Sequence, residues 1–113
     1  MKLPATDHVV IEVAKLRDYL LSPSHPVGRF KASFFAALGY TADNWRQLEA
    51  DLRVLIQSQD AELGQITKYG EKYEVRGMLG MPNAKRAEVV TVWIIRRGED
   101  VPRFVTAHPG EKL

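Results

Sequence analysis

Apolar residues recur along this chain in two regimes. Before Ser58 they return every three or four positions, the period of a helix with one buried face, and after it they alternate or run together as they do in strands. Leu16, Tyr19 and Leu20 fall on one side of a predicted helix over Val13 to Leu21, and Ser22-Pro23 ends it, because the residue before a proline is pushed out of helical backbone. Phe30, Phe34, Phe35 and Leu38 form the stripe of a second helix, Pro26 to Leu38, with a proline suited to the first turn and Gly39 to a left-handed C-terminal cap. Thr41 caps a third helix, Ala42 to Gln57, where Trp45, Leu48, Leu52, Leu55 and Ile56 give the clearest helical period in the chain.

Downstream, Tyr73, Val75 and Leu79 are interleaved with charged Glu74 and Arg76, which predicts strands over Leu63 to Tyr69 and Lys72 to Leu79 joined by a hairpin at Gly70. Met81-Pro82-Asn83-Ala84 marks the next turn. The run from Glu88 to Ile95 is almost continuously β-branched or aromatic, as a central strand is, and a last strand follows Arg97 to Asp100 near Arg103 to Ala107. The expectation is an α+β fold in one domain spanning residues 1–113. Three N-terminal helices (residues 1–58) pack on one face of an antiparallel meander of about four strands (residues 62–108), and the other face is left for a ligand.

A chain of 113 residues with 45% apolar composition and a mean hydropathy of −0.24 supports one modest core and contains no run long enough to span a membrane. Met1 to Ile11 has no charged segment followed by a long apolar stretch, so no signal peptide is expected and the cytoplasm is the expected location. The absence of cysteine excludes thiolate chemistry and disulfides. The three histidines, His8, His25 and His108, are scattered without a paired carboxylate motif, so neither a metal nor any other cofactor is expected. A formal charge of +2 says little in total, but its order says more. Residues 41–62 carry a local −3 and residues 68–103 a local +3, so that a basic sheet able to meet phosphates opposes an acidic helix.

The stretch from Leu20 to Lys31 concentrates the chemistry. His25 is of the residue type that can move a proton, Gly28 lets a ligand approach the backbone, and Arg29 and Lys31 place cations at a helix start, where backbone N–H groups already favour anions. The same residues also fit a plainer role, with His25 capping the helix and the two cations solvating it. In the sheet, Trp93 can stack a base or sit in the core, Arg103 can hold a phosphate, Thr106 can donate a hydrogen bond, and His108 is either a second acid or base or a tail residue. This inventory of His, Lys, Arg and hydroxyl groups suits cleavage of RNA by its own 2′-hydroxyl, where the substrate brings the nucleophile.

Several segments carry a resemblance over nearly the whole chain: Lys15 to Phe35, Leu38-Gly39-Tyr40, Asn44-Trp45, Tyr69-Gly70, Val92 to Ile95 and Pro102 to Ala107. Together they resemble a family of small bacterial proteins of unknown function, found alone or at the ends of large secreted toxins. Its layout is similar to the ribonuclease superfamily of barnase, RelE-type toxins and colicin D, which implies a metal-independent ribonuclease with its site on the open sheet face. The resemblance puts weight on His25, Gly28, Lys31, Trp93 and Thr106. It puts none on His108, where the family commonly has an aromatic residue, and less on Arg29 than on Lys31.

The expected function is therefore a ribonuclease toxin of a bacterial toxin–antitoxin pair. His25, Lys31 and Thr106 would be catalytic, and Gly28, Arg29, Trp93, Arg103 and His108 would bind substrate. Expected partners are RNA and a cognate antitoxin, with no membrane, and the exposed edges of a short meander offer a route to a dimer. The alternative is a non-enzymatic interaction module, immunity-like or antitoxin-like, that binds through Asp43, Glu49 and Asp51 of the third helix.

Overall fold

In a computed structural model that describes residues 1–110, the change of apolar period near Ser58 coincides with the change from helix to sheet. Helix α1 is α-helical over Val13–Lys15 and widens into a π-helical turn over Leu16–Leu20, closed by the Leu21 N–H donating to the Leu16 carbonyl at 2.9 Å. Helix α2 spans Arg29–Ala37 and α3 spans Trp45–Ser58. Leu16, Leu20, Phe35, Leu38, Leu48, Leu52 and Ile56 are all fully buried, so each helix turns its apolar stripe inward.

Two expectations for the second helix change. It begins at Arg29 rather than Pro26, because residues 26–28 form a turn ahead of it. Phe30 does not join the stripe but stands 73% exposed, since α2 packs mainly on the α1 turn and that contact takes only the side bearing Ala32 and Phe35. Gly39 adopts φ +94° and ends α2, with the Tyr40 N–H donating to the Phe35 carbonyl. Thr41 and Asn44 form a reciprocal capping box at the single 3-10 turn Ala42–Asn44 that leads into α3.

The sheet is an antiparallel meander in the order β1 (Ala61–Thr67), β2 (Gly70–Leu79), β3 (Ala87–Arg96), β4 (Arg103–Pro109). Its alternation sorts the two faces. Tyr73, Val75, Val89, Thr91, Trp93, Phe104 and Ala107 are buried in the common core with the helices, and Gly77 lies so near α3 that a Cβ there would come within 2.9 Å of Leu55 Cδ1. Glu74, Arg76, Val90, Val92, Thr106 and His108 belong to the opposite face. Val10 pairs in parallel with Arg103, so the N-terminal segment protects one end of the β4 edge.

Candidate functional site

The register of β2, β3 and β4 builds two cross-strand rows on the face away from α3. Thr106 lies opposite Val92, which lies opposite Glu74, and His108 lies opposite Val90, which lies opposite Arg76. Val90 is only 2% exposed although its face carries no helix from α3, so its ladder neighbours form a polar roof over an apolar floor. Arg76 sits 3.6 Å from Glu88 and 3.9 Å from Glu74, held by carboxylates on two sides while remaining open to solvent.

Into this roof comes one side chain from the helical half. Lys31, on the first turn of α2, donates from Nζ to Oγ1 of Thr106 at 3.0 Å, and both residues are partly buried. Burial holds His108 below the ordinary histidine value of 6.5, and the positive charges of Lys31 and Arg76 push it the same way while Glu74 opposes them. The imidazole is therefore neutral at pH 7, with a lone pair free to accept a proton beside two cations.

His25 does something different from what its position suggested. Its Nδ1 accepts the Val27 N–H at 3.0 Å and the Gly28 N–H at 2.9 Å, which assigns the ring proton to Nε2 and ties the histidine into the turn ahead of α2. A ring in that state has no free lone pair for general-base work. Its edge meets the Tyr19 ring at 5.0 Å and nearly at right angles, and the Lys31 ammonium lies 5.7 Å from the centre of that same ring. His25 thus acts on the Lys31–Thr106 pair as a positioning residue, through the Tyr19 ring and through Gly28, whose carbonyl accepts the Lys31 N–H at 2.8 Å. Gly28 is needed for packing, because a Cβ there would fall 1.9 Å from the Tyr19 carbonyl oxygen.

The remaining expected contacts separate from this centre. Trp93 is fully buried on the opposite face, its Nε1–H donating to Thr91 Oγ1 at 2.7 Å, so it is a core residue and no platform for a base. Arg103 is engaged by Glu99 at 3.2 Å within the β3–β4 turn. Arg29 is exposed and lies over the ring of Phe30.

Of the expected site, then, Lys31, Thr106 and His108 are brought to one place, and Arg76, Glu74 and Tyr19 join them. Sequence alone had no means of adding these three. Arg76 and Glu74 read as the ordinary polar face of a strand until the register is known, and Tyr19 reads as one more residue of an apolar stripe.

A cleft of about 460 Å³ lies elsewhere, between α3 and the end of β2, and includes Tyr40, Asp51, Met78 and Arg86. Its polar groups satisfy one another. The Tyr40 hydroxyl donates to Asp51 at 2.6 Å and accepts the Gly80 N–H, Gln47 donates to the other Asp51 oxygen, and Arg86 donates to the Gly80 carbonyl. Burial first and then the hydrogen bond to Asp51 push the Tyr40 hydroxyl far above its ordinary value, which keeps it protonated as a structural donor. Glu49 is bound by Arg53 at 2.9 Å, so two of the three acids expected to form an interaction surface on α3 are occupied within the chain.

Among the described residues no helix is long and apolar enough to cross a membrane, and no three His, Asp or Glu side chains gather as a metal-ligand group. No curated protein and no solved structure matches the chain. A match over residues 2–111 places it in a family described as a domain of unknown function, DUF6883, to which the chain belongs.

Proposed function

We propose that this chain is a metal-independent ribonuclease, of the kind used as a toxin against cellular RNA, that cleaves by attack of the substrate's own 2′-hydroxyl. The observation that carries the reading is the Lys31 ammonium seated 3.0 Å from the Thr106 hydroxyl, with His108 two residues further along the same strand and face. These three groups and Arg76 divide the work. His108, neutral at pH 7, takes the proton from the 2′-hydroxyl as its oxygen forms a bond to phosphorus. Lys31 and Arg76 neutralise the charge that grows on the phosphoryl oxygens, and Thr106 fixes the position of Lys31. The bond from phosphorus to the 5′-oxygen breaks, solvent returns a proton to that oxygen, and the products are a 2′,3′-cyclic phosphate and a 5′-hydroxyl.

On sequence alone His25 has the part of general base or acid; in this proposal the base is His108. The interaction-module alternative loses support because Asp51 and Glu49 are already paired within the chain. The test is induced expression together with cleavage of purified RNA in excess chelator. Wild-type protein should arrest growth and leave cyclic phosphate ends, while His108→Ala and Lys31→Ala should each lower kcat by about 10² or more with the fold retained. Unchanged cleavage in both variants, or cleavage abolished by chelator, rejects the reading.

A further inference from the structure

We propose that Phe30 is a stacking subsite for a nucleobase of the RNA that the Lys31–Thr106 centre holds by its phosphate. The inference rests on the ribonuclease reading and adds to it the residue that grips the substrate's base. Phe30 is the aromatic residue that α2 does not use. Ala32, Phe35 and Leu38 face the core, whereas Phe30 stands 73% exposed, with Val27 also exposed three positions earlier. The Arg29 guanidinium lies 4.8 Å from the centre of the Phe30 ring, so the ring already carries a cation on one face and presents the other to solvent.

Residue 30 immediately precedes Lys31, whose ammonium meets Thr106. Phe30 stands on the same first turn of α2 as Lys31 but on a different side of it, so a strand whose phosphodiester is held at Lys31 would pass over the start of the helix to lay a flanking base on the Phe30 ring. An exposed π-face next to phosphate-binding cations is the pairing by which proteins grip single strands without reading their sequence, since every base offers a π-face. A folded or double-stranded RNA withholds its bases, so the substrate class that fits is single-stranded RNA.

The experiment measures binding of two probes to wild-type protein, Phe30→Ala and Phe30→Trp: a 2′-O-methyl oligouridylate decamer, which cannot be cleaved, and sodium polyphosphate, which has charge but no bases. Phe30→Ala should raise the Kd for the decamer about tenfold and leave the Kd for polyphosphate within about twofold. Phe30→Trp should retain decamer affinity and show a fluorescence quench that polyphosphate does not cause and that wild-type protein, with its own Trp45 and Trp93, does not show. Equal affinity of all three proteins for the decamer, or an equal loss for both probes, overturns the subsite. Cleavage of ordinary RNA by wild-type protein is scored in parallel. Its absence defeats the ribonuclease reading, whereas cleavage with unchanged decamer binding by Phe30→Ala defeats the subsite alone.

Discussion

Lys31 Nζ and Thr106 Oγ1, 3.0 Å apart, join the first turn of α2 to β4 across 75 residues of chain. A hydrogen bond from a partly buried ammonium to a hydroxyl contributes about 1 kcal/mol net, and it holds the helical half in place over the sheet. A double-mutant cycle with Lys31→Met and Thr106→Val, read from urea unfolding, should therefore show a coupling of about 1 kcal/mol. Additive effects would mean that the two side chains do not act together.

His25 tests the difference between a proton carrier and a cap. His25→Ala strips the acceptor from the Val27 and Gly28 N–H groups and should cost about 0.5–2 kcal/mol, the range of a lost helix cap. Asparagine carries its Oδ1 on the same Cγ from which Nδ1 extends in histidine, so His25→Asn should recover most of that loss in thermal or urea unfolding. If the asparagine variant is as unstable as the alanine variant, the cap is not what His25 provides.

How far the sequence could be read follows from what each feature depends on. The helices, the four strands and their order rest on local period and turn residues; Gly39 and Thr41 act where they were expected to, and the hairpin expected at Gly70 turns at Lys68 and Tyr69, with Gly70 opening β2. Face assignment depends on the partner element. The continuous apolar run of β3 does not say which side meets the helices, so Trp93 had two readings until its burial against Phe104 chose one. The Phe30 misplacement has the same origin, because the width of a helix's buried stripe is set by what packs on it. Lys31 and Thr106 stood out by residue type, whereas Arg76 beside His108 needed the register, a long-range quantity that no local pattern carries.

Thr91 provides a test of the core that supports the site. Its hydroxyl donates to the Val75 carbonyl at 2.8 Å and accepts the Trp93 indole N–H at 2.7 Å, all in a fully buried setting. Thr91→Val keeps the shape but leaves the indole N–H without a partner, a penalty of about 1–3 kcal/mol that should appear as a lowered Tm. Thr91→Ser, which retains the hydroxyl, should lose less than the valine variant, although it removes a methyl group. The reverse order would show that packing, and not the hydrogen bond, dominates at this position.

His108 makes stability depend on pH in a direction set by its environment. Burial, aided by Lys31 and Arg76, holds its pKa in the folded protein below the ordinary 6.5, so the folded state binds that proton less tightly than the unfolded state. Its contribution is present above the unfolded value. As pH falls through about 6.5 the unfolded chain takes up the proton first, and stability declines until the folded value is passed. Urea unfolding followed from pH 8 down to pH 5 should show wild-type protein losing more stability than His108→Gln, which has no proton to gain. The same depressed pKa should place the acid limb of kcat/KM for RNA cleavage below the ordinary histidine range. Identical stability slopes for the two proteins would remove His108 from its cationic, half-buried setting and with it the basis for its role as base.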